Sequence, residues 1–150
     1  MAGLVHGTCV SLGGLGALLR GAPGSGKSDL ALRFIFLSTE HRRPALVSDD
    51  QVVLTREGDV IIASPPSAIE GKIEVRGVGI VAVPHWEPKA QLKLIVDLKP
   101  REEIPRYPSP LAQENVLGLS VLRLSLDPFE ASAPLKLALA LKKFGSRVVD

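Results

Sequence analysis

The sequence predicts an α/β chain in which a mixed, largely antiparallel sheet carries two helices. Three observations predict it. A glycine-rich turn, "GAPGSGKS", stands between an apolar run and a helical pattern. Strand-like runs outnumber helical ones, and several are joined too closely to leave room for a crossover helix, so a regularly alternating βαβ architecture is excluded. The last amphipathic stretch, "APLKLALALKKF", has the Leu/Ala/Lys composition of a helix.

The elements follow in order. "LVHGTC" and "VSLGGLGALLR" are two apolar runs around Gly13-Gly14, a hairpin or bent strand pair that delivers the chain to Gly21. From Lys27 to about Leu37, Leu30, Ala31, Phe34 and Leu37 recur at helical spacing. "PALVSDD" is a short apolar strand ending in two carboxylates, and "QVVLTREGDVIIAS" reads as a hairpin around "REGD". "IEGKIEVRGVGIVAV" holds further strand-like runs broken by glycines. "QLKLIVDLKP" and "VLGLSVLRLSLD" are two more strands, and "PREEIPRYPSPLAQEN" between them, with four prolines, is expected to be loop. In the closing helix Leu137, Leu141 and Phe144 share one side.

Composition narrows the function classes. The 150 residues are 45% hydrophobic and 23% charged, ordinary for one soluble domain, and only 4% aromatic, so aliphatic side chains must build the core. The formal charge of +2 comes without a Lys/Arg run of the kind nucleic-acid binding uses; Arg42-Arg43 and Lys142-Lys143 read as solvated surface. No apolar stretch reaches the roughly 18 residues of a membrane span. The single cysteine, Cys9, leaves no internal disulfide and reads as a buried, inert thiol. A cytoplasmic setting is expected.

Gly21, Gly26, Lys27 and Ser28 fulfil the phosphate-binding-loop pattern G-x-x-x-x-G-K-[ST], with Gly24 and Ser25 inside it. The glycines let backbone N–H groups curl around phosphate oxygens, and the helix that follows presents unpaired donors and a positive dipole end. Lys27 is placed to reach the terminal phosphates and Ser28 to ligate Mg²⁺. The chain is therefore expected to be a P-loop domain that binds a nucleotide with Mg²⁺. Asp49 and Asp50, at the end of a strand, are expected to hold metal or face the reacting group. Adjacent residues on a strand point to opposite faces, so the two should do different jobs; a plain Asp-Asp turn is the other reading. Glu74 reads equally as a third carboxylate near the metal and as a solvent-facing strand residue, and Arg76 as a partner of phosphate or as surface. A lone histidine in an apolar strand, His6, reads first as structural; His41 and His85 read as exposed loop residues. On the residues alone the acceptor of any phosphoryl group stays open.

Taken together, "HGTCVSLGGLGALLRGAPGSGKSDLAL", "LVSDDQV" and "IEVRGVGI" resemble the catalytic domain of the HPr kinase/phosphorylase family over roughly residues 4 to 83. The P-loop is common to many families, whereas the Glu-Val-Arg-Gly motif together with the histidine and Asp-Asp is specific. The resemblance implies a fold akin to phosphoenolpyruvate carboxykinase. It also implies phosphorylation by ATP of a serine on an HPr-type phosphocarrier of the phosphotransferase system, with phosphorolysis as a reverse reaction in many members. It implies Asp49 as acid/base, His6 as its partner near the acceptor serine, and Ser28, Asp50 and Glu74 as the Mg²⁺ environment. The resemblance further implies Arg106, in "IPRYP", as a catalytic loop arginine. Residues 1–150 would then be one kinase catalytic domain of the compact α-proteobacterial type, without the N-terminal domain of longer members. After "GVGIVAVP" the chain reads "HWEPKAQLK", where longer members carry a Gly-Ala-Gly-rich stretch. Residues 111–150 would serve carrier docking or assembly, and the family's habit implies a homo-oligomer, a hexamer. A small-molecule P-loop kinase and a non-catalytic nucleotide sensor are the competing readings.

Overall fold

The structure, a computed structural model, describes residues 2–39, 41–108 and 110–145. Among the described residues eleven strands and two α-helices are formed: β1 (Ala2–His6), β2 (Thr8–Leu12), β3 (Leu15–Arg20), α1 (Lys27–Ile35), β4 (Pro44–Ser48), β5 (Gln51–Glu57), β6 (Val60–Ser64), β7 (Lys72–Val75), β8 (Gly79–Ala82), β9 (Ala90–Leu98), β10 (Ala112–Val116), β11 (Leu119–Leu126) and α2 (Ala133–Phe144). Nine strands share one sheet in the order β1-β5-β6-β9-β3-β2-β4, with β11 beside β9 and β10 beside β11; β7 and β8 form a separate hairpin. The two parallel pairings are β3 with β9 and β9 with β11, and the other pairings are antiparallel. The expected mixed, largely antiparallel sheet is thus what forms.

Strand alternation builds two cores on the two faces of this sheet. Val10, Leu12, Ala17, Leu19, Leu94 and Val96 point to the face that the helices cover, where Leu30, Phe34, Leu137, Leu141 and Phe144 meet them. The intervening Cys9, Leu18 and Ile95 point to the opposite face and pack with Val52, Leu54, Ile61 and Ala63 of the β5–β6 hairpin. Phe34 is fully buried in a chain nearly without large aromatics, so truncating it to Ala would cost about 3–5 kcal/mol.

The parallel pairings matter most for the site. Because β2 runs antiparallel to both β3 and β4, the C-terminal ends of β3, β4, β9 and β11 all open on one edge. The glycine loop leaves β3 there, the Asp-Asp pair leaves β4, residues 99–108 leave β9, and the Asp127–Glu130 turn leaves β11.

One expectation is corrected. Within the segment expected to be loop, Arg101–Glu103 form a 3-10 turn and Ala112–Val116 form β10, paired with β11 through a turn in which Leu117 and Gly118 have positive φ. The prolines end at Pro110, and the polar run Gln113-Glu114-Asn115 hides an edge strand that charge pairing secures. Arg20 donates from Nη1 to Glu114 Oε2 at 2.7 Å and from Nε to Asp97 Oδ1 at 2.9 Å, and Arg123 donates to Glu114 Oε1 at 3.2 Å. The Arg20 guanidinium holds the Glu114 carboxyl below its usual range, against a smaller opposing effect of burial. No helix among the described residues is long and apolar enough to cross a membrane.

Candidate active site

Gly21 to Gly26 connect β3 to α1 as the sequence requires. A methyl group at Gly21 would stand 2.8 Å from Ser25 Cβ and closer still to its hydroxyl, so the loop closes only with glycine at that position. Gly26 caps α1 at φ +97, a left-handed conformation that a side chain would strain. Lys27 is buried and donates from Nζ to the carbonyl oxygens of Gly21 and Ala22, at 2.7 and 3.1 Å. Two of its three ammonium donors are thereby spent on the loop and one remains. The Ser25 hydroxyl is buried inside the loop with no hydrogen-bond partner, a polar group left waiting for one.

Ser28, in the first turn of α1, donates its hydroxyl to Asp49 Oδ1 at 2.8 Å. The same oxygen accepts from the Thr8 hydroxyl at 3.0 Å, and Asp49 Oδ2 accepts from the Glu74 backbone N–H at 3.1 Å. Asp49 is only 6% exposed, and three donors compensate its burial. It ties together β2, β4, β7 and the helix after the loop. Thr8 was missed by sequence reasoning. Its signal was present: a hydroxyl two residues beyond His6, at the end of a strand whose remaining residues, Ser11 apart, are apolar.

Asp50 stands apart. Its backbone turns at φ +70, which Asp tolerates better than most residues, and its side chain is 72% exposed. His6 Nδ1 lies 3.4 Å from Asp50 Oδ1. Adjacent in sequence, the two carboxylates do occupy different environments, but a left-handed turn separates them rather than strand alternation.

These groups surround one open pocket of about 570 Å³, lined by Gly24, Gly26, Lys27 and Ser28 on one side and by His6, Asp50, Glu74 and Arg76 on the other. The geometry fits a phosphate cradle: a glycine loop at a helix N-terminus, a cation, and a hydroxyl backed by a carboxylate. It also fits Mg²⁺, which keeps waters and phosphate oxygens among its ligands and needs few from protein. Among the described residues no three His, Cys, Asp or Glu side chains cluster to hold a metal by themselves. Arg106, expected with the catalytic groups, is exposed and lines a neighbouring cavity of about 600 Å³ at the same sheet edge. His41 is exposed; His85 is half-buried, and its Nδ1 is buried without a hydrogen-bond partner.

Known proteins resemble this chain in sequence and in fold. Residues 2–130 match the family model of the HPr Serine kinase C-terminal domain. The chain is 34% identical over 132 residues to an HPr kinase/phosphorylase of Burkholderia lata, an alignment covering 82% of this chain and 39% of that protein. It is 32% identical over 105 residues to an HPr kinase/phosphorylase of Mycoplasmopsis pulmonis, covering 66% of this chain and 32% of that protein. Among solved structures, the Hpr(Ser) kinase/phosphatase from Coxiella burnetii superposes with a TM-score of 0.79 at 25% identity, covering 94% of this chain and 89% of that one. The chain spans about two fifths or less of the length of these two curated relatives.

Proposed function

Because the chain belongs to the family of HPr serine kinase C-terminal domains, we propose that it transfers the γ-phosphoryl group of ATP to a serine of an HPr-type phosphocarrier of the phosphotransferase system. Residues 1–150 act as one catalytic domain, in the cytoplasm. The observation that carries the reading is the division of one pocket into two sides. Ser28 backed by buried Asp49 faces the phosphates, and exposed Asp50 beside His6 faces whatever enters from solvent.

This division favours exchanging the roles that the resemblance implied for the two aspartates. Asp49 has both oxygens engaged and almost no exposed surface, which suits a fixed carboxylate that orients Ser28. Asp50 is accessible and unencumbered apart from His6, which suits a proton acceptor. In the reaction proposed, Asp50 takes the serine proton as the hydroxyl oxygen bonds to the γ-phosphorus and the bond to the bridging oxygen of ADP breaks. His6 orients the Asp50 carboxylate. Lys27 offers its remaining N–H to the phosphate, and the loop N–H groups hold the rest. Ser28, with Glu74 nearby, would hold Mg²⁺, which when bound would neutralise phosphate charge. In the reverse direction, protonated Asp50 returns the proton as inorganic phosphate removes the group.

A protein acceptor suits the site better than a metabolite. The pocket is open, and the β7–β8 hairpin that bears Glu74 and Arg76 presents Val78 and Ile80 as exposed apolar surface. Assembly as a homo-oligomer, a hexamer, belongs to the proposal: Leu135 and Leu139 leave an apolar stripe of α2 exposed. Light scattering tests it, and a monomer at working concentration contradicts it. The kinase reading is tested by incubating the chain with Mg²⁺, γ-labelled ATP and a seryl-bearing HPr-type carrier. Label on one carrier serine is expected; label on small molecules only, or none despite ATP binding, overturns it.

A further inference from the structure

The turn from Asp127 to Glu130 forms a sill that touches both the P-loop and the wall of the neighbouring cavity. On one side, Pro128 and Phe129 press on the P-loop: a methyl group added to Gly26 would stand 3.2 Å from Pro128 and 3.4 Å from the Phe129 ring. On the other side, Asp127 and Glu130 form part of the wall of the 600 Å³ cavity. The topology explains the adjacency, since β3, β9 and β11 are parallel neighbours and deliver the P-loop, the 99–108 loop and this turn to one edge.

Phe129 lies on the sill with 74% of its surface exposed, in a chain that contains only four phenylalanines. Its backbone is fixed all the same. Asp127 Oδ1 accepts from the Phe129 N–H at 2.9 Å, Glu130 N–H closes the turn onto Asp127, and Arg33 of α1 donates to the carbonyl oxygens of Pro128 and Glu130. A solvated aromatic ring on a backbone clamped to the P-loop helix is a ready stacking surface. The cavity beyond it combines apolar walls, from Ile104, Leu124 and Leu126, with the guanidinium groups of Arg106 and Arg123, and its size is that of a small-ligand site.

We infer that Phe129 is the platform on which the base of the nucleotide stacks, and that the cavity behind it receives the nucleoside. The inference rests on the reading of the loop as a nucleotide site and adds the subsite for the nucleotide's other end. A ligand with phosphates on the loop and a nucleoside in the cavity has to cross Phe129. The alternative occupant, an independent small anion drawn by the arginines, would leave Phe129 without a part in nucleotide affinity.

The test is calorimetric binding of Mg-ATP and of Mg-tripolyphosphate, which has the phosphates and lacks the nucleoside, to the wild-type chain, Phe129→Ala and Phe129→Trp. The wild type is expected to bind ATP more tightly than tripolyphosphate. Phe129→Ala should weaken ATP about ten-fold, within the range of base–aromatic stacking, and leave tripolyphosphate unchanged; Phe129→Trp should keep ATP affinity. Equal affinity of the wild type for both ligands overturns the inference, as does undiminished ATP binding by Phe129→Ala. Loss of both ligands by Phe129→Ala also overturns it, because the ring would then be supporting the loop. If the wild type binds neither, the nucleotide reading itself fails.

Discussion

The Ser28 hydroxyl donates to Asp49 Oδ1 at 2.8 Å, across 21 residues of sequence. This bond joins the helix after the P-loop to the end of β4, and Thr8 and the Glu74 N–H complete the set around the same carboxylate. Everything proposed about the phosphate side depends on Asp49 being fixed there.

Thr8→Val tests that fixation at nearly constant volume. It removes one donor from a buried carboxylate, so a loss of about 1–3 kcal/mol in stability is expected. Urea denaturation reads it directly. An unchanged midpoint would mean that the Thr8 contact contributes nothing.

Gly21→Ala should spare the fold and break the loop. The added methyl collides with Ser25, whereas the sheet and its cores lie behind this position. Calorimetry should show ATP affinity reduced more than ten-fold with a far-UV spectrum like the wild type. Retained affinity would contradict a loop that closes only around glycine.

Acid should loosen the β10 edge through Glu114. Its folded-state carboxyl lies below the ordinary value, so the stabilisation is fully present above the unfolded value near pH 4.3 and is lost as pH falls through the folded one. Glu114→Gln should cost about 1–2 kcal/mol at neutral pH and flatten the acid limb of stability against pH. Parallel limbs in the two proteins would exclude Glu114 as a contributor.

Burial pushes the Cys9 thiol up to about 12. At pH 8 the native protein should therefore resist an aromatic disulfide reagent and react only as it unfolds. Immediate stoichiometric reaction would place Cys9 on the surface. Because the folded thiol keeps its proton, this group lowers stability as pH rises above the unfolded value near 8.5.

Much of this was legible in the sequence, for reasons that are local. The P-loop glycines, the hairpin around "REGD" and the helical spacing of Leu137, Leu141 and Phe144 all express short-range geometry, and each formed where expected. Strand β10 was hidden because its neighbours are prolines and its own residues are polar; its security comes from Arg20, 94 residues away. That Asp49 and Asp50 stand in different environments was legible, but which of them faces Ser28 was not. Strand alternation alone cannot tell which carboxylate faces Ser28, and the turn at positive φ is set by the fold around it. Phe129 drew no notice, since its closeness to Gly26 arises only when β11 docks beside β9.

The central claim, that Asp50 moves the proton while Asp49 holds the phosphate side, is tested most directly by single-turnover transfer of label from ATP to the carrier serine. Asp50→Asn sits on the surface at a φ that Asn also tolerates, so the variant should fold and bind Mg-ATP like the wild type. The account predicts that its transfer rate falls about 10²–10⁴-fold. A transfer rate equal to that of the wild type would contradict it.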